Sequence, residues 1–162
     1  MTVPRKSFKH RERGRPRMSS STDDERWPDV LAIREVLERY ASGVDRRDWR
    51  SVGTCFAADC FADYGRSDQW QGREAIVDAL DVMHREIGPT MHRLSNHTID
   101  VSGDRATGVT YLDAYLKVEH RGFDLCHVLA TYHDEFGRTG DGWEISSRRL
   151  EVFMRRWEMS KS

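Results

Sequence analysis

The stretch "LERYASGVDRRDWRSVGTCFAADCFADYG", residues 37 to 65, changes its pattern of apolar residues twice, and those changes set the fold. It continues a stripe that begins upstream: between Asp29 and Val44 apolar residues recur at Val30, Ile33, Leu37, Tyr40, Ala41 and Val44. Steps of three and four put them on one face of a helix. Asp45 extends the line of Leu37 and Ala41, at the edge of the buried face. Unpaired carbonyls at a helix C-terminus make that a costly place for a carboxylate, so Asp45 needs a cationic or N–H partner. Asp48 is placed to cap a short second helix, "WRSVGTCF", whose Trp49, Val52 and Phe56 form another narrow stripe. "CFADYG" at 60 to 65 then alternates with period two. It reads as a strand that shows Cys60, Ala62 and Tyr64 on one side and closes at Gly65.

Downstream, "REAIVDALDVMHREIG" carries Ile76, Leu80, Met83 and Ile87 and predicts a third helix ended by Gly88 and Pro89. The remaining chain has period two over about 90 to 101, 105 to 119, 122 to 137 and 143 to 154. "SGDR", "HRG" and "RTGDG" supply the turns between these segments. Helices first and an antiparallel meander after make an α+β plan: three N-terminal helices packed on one face of a strongly curved, mostly antiparallel sheet.

At 162 residues the chain is long enough for one domain with a real core. Its 26 Lys and Arg nearly cancel its 27 Asp and Glu, so net charge points to neither a nucleic-acid nor a membrane partner. Positive charge is concentrated in Arg5, Lys6, Lys9, Arg11, Arg13, Arg15 and Arg17, with almost no apolar residue between them. Residues 1 to 24 are therefore expected to be a disordered basic tail, with the folded domain over 25 to 157 and a short tail over 158 to 162. No apolar run approaches the ~20 residues of a membrane span, which makes a cytoplasmic protein the expectation. Cys55, Cys60 and Cys126 lack paired spacing and read as core thiols rather than a disulfide framework or a zinc site. The histidines fall on different faces, so no metal site is expected.

Alternation also assigns an inward face to the sheet. It holds His92, Leu94 and Asn96 on one strand, with His97 opposite, then Leu112, Ala114 and Leu116, then Cys126, Val128 and Ala130, and last Arg148, Leu150 and Val152. That set suits an apolar ligand pocket and equally an ordinary core. The outer face would carry Tyr111, Asp113, Tyr115, His127 and Leu129, more apolar surface than a lone sheet leaves to water, so a homodimer or homotrimer is expected.

Together with "GREAI", "MHRLSNHTIDVSGDRATG" and "GDGWEISSRRL", the opening stretch resembles the SnoaL-like family of the nuclear transport factor 2-like superfamily over roughly residues 27 to 154. The resemblance implies a cone-shaped α+β barrel with the active site inside the cone. It puts Asp45 on the family's catalytic aspartate and His92 on its catalytic histidine. Tyr64 matches a tyrosine that scytalone dehydratase uses, and Arg148 falls where hexachlorocyclohexane dehydrochlorinase has a catalytic arginine. Val44 and Tyr40 depart from these patterns: Val44 replaces the dehydratase's other tyrosine, and Tyr40 the dehydrochlorinase's lysine. The implied activity is a cofactor-independent dehydratase, isomerase or cyclase acting on a small apolar cyclic molecule, with Tyr40 among the pocket residues. Two other readings remain open, a non-catalytic module for a hydrophobic ligand and an assembly subunit like the β subunits of ring-hydroxylating dioxygenases.

Overall fold

The structure, a computed structural model, describes residues 22–65, 68–120 and 123–159. Helix α1 spans Thr22–Arg46, α2 Trp49–Gly53 and α3 Arg73–His84; the strands are β1 Phe56–Asp63, β2 Gln69–Gln71, β3 Ile87–Ser102, β4 Arg105–His120, β5 Phe123–Thr139 and β6 Gly142–Met159. Thr22, Asp23 and Asp24, expected in the tail, thus belong to α1, and β6 runs past the expected end of the domain to Met159. Residues 1–21 and 160–162, the rest of the two expected tails, lie outside the described residues.

The strands form one sheet in the order β2-β1-β6-β5-β4-β3, antiparallel throughout except where β1 runs parallel to β6. The sheet is not closed: β2 and β3 are its edges, so the expected barrel is an open, curved mixed sheet. Helix α1 lies across the concave face, tied at one end by Trp143 Nε1 and Arg138, which donate to Asp29 at 3.1 and 2.6 Å. Ile33, Leu37 and Val44 are fully buried, as the stripe requires, and meet Phe56, Cys60, Ala62 and Ala130 from the sheet. Truncating such a residue, Leu37→Ala for instance, costs ~2–5 kcal/mol. Cys55, Cys60 and Cys126 are free thiols in this core, and burial pushes Cys55 up to about 11.

Asp48 caps α2 as expected: its carboxylate accepts from the Ser51 amide at 3.0 Å and the Ser51 hydroxyl at 2.6 Å. Helix α3 ends at His84, earlier than the sequence suggests, and Gly88 and Pro89 instead begin β3. A Cβ on Gly88 would meet the Lys117 side chain at 3.2 Å, so the glycine serves a close strand approach rather than a helix cap.

Bulges reset which residues face inward. In β3, Ser95 pairs with Tyr111 but Thr98 with Val109, so one extra residue sits opposite Thr110. Asn96 absorbs it with φ 49°, a left-handed conformation that asparagine tolerates better than most residues. The face therefore reverses: Asn96 is exposed, and His97 turns inward, its Nδ1 3.1 Å from the Thr110 hydroxyl. In β6, Leu129 pairs with Met154 but Ala130 with Val152, leaving Phe153 as the extra residue. Past it, Arg155 pairs with Val128 and Trp157 with Cys126, on the inner side.

Candidate active site

The C-terminus of α1 is built to carry Asp45. Arg47 adopts the left-handed conformation, φ 59°, and the chain closes with Asp48 N donating to Gly43 O at 2.9 Å and Arg47 N to Val44 O at 3.1 Å, a Schellman-type end. The Arg47 guanidinium then donates to the carbonyls of Val44, Gly88 and Ile87 at 2.7, 2.8 and 3.2 Å and to the Thr90 hydroxyl at 3.0 Å. One cation thus neutralises a helix end rich in carbonyls and fastens it to the start of β3.

Thr90 passes this arrangement on by donating its own hydroxyl to Asp45 Oδ1 at 2.8 Å. Asp45 also accepts from the His92 backbone amide at Oδ2, 2.9 Å, and from the His92 ring at Oδ1, 2.6 Å. Burial raises the Asp45 carboxyl, but the His92 ring, the His92 amide and the Thr90 hydroxyl outweigh it and hold Asp45 below the usual carboxylate range. The carboxylate is therefore better placed in the folded chain than in the unfolded one, contrary to the local cost that its position at a helix end suggests.

A pH dependence follows. Because the folded value is depressed, the stability from Asp45 is present above its ordinary value of 3.8 and is lost as pH falls through the folded value. The denaturation free-energy difference between the parent protein and Asp45→Asn is expected to be constant near neutrality and to shrink below about pH 4. Urea titrations between pH 2.5 and 7 check this, and a difference that grows on acidification would contradict it.

An ionised carboxylate only accepts, so His92 Nδ1 carries a proton, and in the neutral ring Nε2 has the lone pair. Nε2 has no hydrogen-bond partner among the described residues. His92 sits on the wall of a cavity of about 370 Å³. Leu112, Ala114, Leu116, Val128 and Leu150 line it, as alternation predicts, together with Tyr40 and Tyr64. The two phenol oxygens are 2.9 Å apart. Burial pushes both phenols well above their ordinary value, so they are hydrogen-bond donors and not bases.

Other expected residues lie elsewhere. Leu94 packs against the core without reaching the cavity, and Asn96 is turned to solvent by its bulge. Val152 is 36% exposed and is not part of the wall. Arg148 is fully buried behind the tyrosines, stacked 4.3 Å from the Tyr40 ring and 4.0 Å from the Tyr132 ring, and it donates to both oxygens of Asp134 at 2.7 and 2.8 Å. Its geometry orders the phenols rather than facing the cavity.

Sequence reasoning missed Tyr132, Asp68, His84, Val118, Arg155 and Trp157 on the cavity wall, and did not assign Leu80, Met83 and Ile87 to it. The α3 set was legible in the helical stripe, since His84 lies one turn after Leu80. Arg155 and Trp157 were not, because only the bulge at Phe153 turns them inward. Among the described residues no three His, Cys, Asp or Glu side chains converge as metal ligands, and no helix is long and apolar enough to cross a membrane.

An uncharacterized protein of Mycobacterium tuberculosis is 28% identical over 127 residues, 76% of this chain and 84% of that protein. Among solved structures, a candidate scytalone dehydratase from Novosphingobium aromaticivorans superposes with a TM-score of 0.78 at 20% identity, over 87% of this chain and 95% of that one. A hexachlorocyclohexane dehydrochlorinase from Novosphingobium barchaimii superposes with a TM-score of 0.77 at 18% identity, over 85% of this chain and 94% of that one. These likenesses show that the chain shares the fold of both proteins. The SnoaL-like domain profile matches residues 25–149, and the chain belongs to that family.

Proposed function

We propose that this protein is a cofactor-independent lyase or isomerase in which His92, held by Asp45, removes a proton beside a carbonyl or leaving group of an apolar cyclic substrate. One observation carries the reading: a histidine with its Nδ1 proton fixed on a carboxylate is on the wall of a largely apolar cavity. Neutral imidazole is a competent base near pH 7, and the carboxylate fixes its tautomer and stabilises the imidazolium that forms. In the Tyr40–Tyr64 pair one hydroxyl donates to the other, and the remaining phenol proton is the donor for an oxygen that gains negative charge as the proton leaves. Arg148 and Asp134 act behind them as positioning residues, since neither lines the cavity.

Titration calorimetry with neutral or weakly acidic ring ketones, set against nucleotides and sugar phosphates, tests the substrate class. Ring ketones are expected to bind and the phosphorylated ligands not to; the reverse order would reject the assignment. A non-catalytic module would bind the same rings and be indifferent to Asp45→Asn.

Self-association belongs to the same proposal. Tyr111 and Met91 on the outer face are 48% and 50% exposed, beside the pair Tyr115 and His127, whose rings stack at 4.3 Å. A dimer or trimer is expected by sedimentation at micromolar concentration, and Tyr111→Glu is expected to weaken it. A monomer at that concentration would reject it.

A further inference from the structure

His84 has no part in the dyad, yet it is on the same cavity wall as His92 with its ring centre 6.4 Å away. It stands at the last position of α3, and its Nδ1 is 2.7 Å from the Leu80 carbonyl. A carbonyl only accepts, so Nδ1 carries the proton and Nε2 is the bare nitrogen. Nε2 has no hydrogen-bond partner among the described residues, and Trp49 packs against the ring at 5.7 Å and fixes its plane. Two imidazoles of matched tautomer, each with its Nδ1 proton fixed on an oxygen, thus border one cavity.

The geometry points to His84 as a second substrate-binding histidine, whose Nε2 accepts a hydrogen bond from a hydroxyl on the ring that His92 deprotonates. This deepens the proton-abstraction reading and rests on it. Burial first, then the positive charge of Arg47, draws the His84 ring toward its neutral form, against the Leu80 carbonyl and Asp45, which favour the cation. Neutral, it is an acceptor and not a general acid. A cavity whose histidines only accept at this end rewards a ligand with a donor there and leaves a wholly acceptor ligand unmatched. In such a ligand the hydroxyl meets His84, and a carbonyl meets the free phenol proton of the Tyr40–Tyr64 pair.

The test uses the whole protein and two commercial probes, 1-tetralone and 4-hydroxy-1-tetralone, read by titration calorimetry and by nitrogen-15 NMR of labelled histidines. In the free protein at pH 7 the His84 Nε2 signal is expected to be that of an unprotonated nitrogen, a readout that needs no variant. The hydroxylated probe should bind roughly tenfold more tightly, the worth of about one hydrogen bond, and move the His84 Nε2 signal toward that of a protonated nitrogen. The parent ketone should leave that signal in place. His84→Phe keeps a flat ring against Trp49 and should erase the tenfold preference; His84→Gln, which retains an acceptor, should recover part of it.

A protonated Nε2 in the free protein overturns the assignment, as does a preference that survives His84→Phe. A response confined to the His92 ring would also overturn it while leaving the proton-abstraction reading standing. Binding of neither probe would remove both.

Discussion

Replacing His92 with alanine is expected to lower turnover of a ring-ketone substrate by about 10²–10⁴-fold, the usual worth of a positioned general base. At 1.36 kcal/mol per decade this is roughly 3–5 kcal/mol of transition-state stabilisation. Asp45→Asn is expected to cost a similar amount for a different reason. Both oxygens of Asp45 accept: Oδ1 from the Thr90 hydroxyl and the His92 ring, Oδ2 from the His92 amide. An asparagine must set its NH₂ against one of these donors. Facing the ring, it reverses the tautomer and leaves the wrong nitrogen protonated. Facing the amide, it strains the junction of α1 and β3. The double variant should be hardly slower than the worse single one, because the two residues act as a unit. Steady-state kinetics on the four proteins checks this, with melting temperatures measured beside them. Independent, multiplying losses would contradict the dyad.

Asp134→Ala is expected to have the largest effect on stability. Arg148 and Asp134 are side by side in register on β6 and β5, and their side chains are 0% and 1% exposed. Removing the carboxylate strands a guanidinium between Tyr40 and Tyr132, where its Nη1 already has no hydrogen-bond partner. Breaking a buried pair in this way costs ~3–5 kcal/mol. For a domain of this size that is a fall in melting temperature of roughly 6–20 °C. Replacing both residues, as Asp134→Leu with Arg148→Met, should destabilise much less, since no unpaired charge remains. Calorimetric melting of the three proteins decides it, and a double variant no better than Asp134→Ala would show that packing, not charge, is at stake.

The contrast between α1 and the sheet explains how much of this was legible in the sequence. Helical periodicity needs only local spacing, so the Ile33, Leu37 and Val44 stripe and the Asp48 cap could be placed without tertiary knowledge. Strand alternation placed Leu112, Ala114 and Val128 on the cavity wall for the same reason. It failed at Asn96 and after Val152, where one extra residue inverts every later side chain, because no strong local signal marks a bulge on a β-branched or aromatic background. The end of α3 was misread because Gly88 and Pro89 stop a helix as readily as they begin a strand. Asp45's need for a partner followed from its place at a helix end, and its catalytic pairing with His92 from family resemblance; the roles of Thr90 and Arg47 in holding them depend on a left-handed arginine that propensity does not anticipate. Arg148 was named as well, but its partner across the sheet, which decides what it does, is set by register.

Proton abstraction by His92 can be read without knowing the natural substrate, by following deuterium from solvent into the carbon beside the carbonyl of 1-tetralone in D₂O at neutral pH. The parent protein is expected to accelerate exchange well above the buffer rate, and His92→Ala and Asp45→Asn to bring it back to that rate. Exchange at the buffer rate with the parent protein, under conditions where calorimetry shows the ketone bound, would contradict a catalytic dyad and make the cavity a binding site alone.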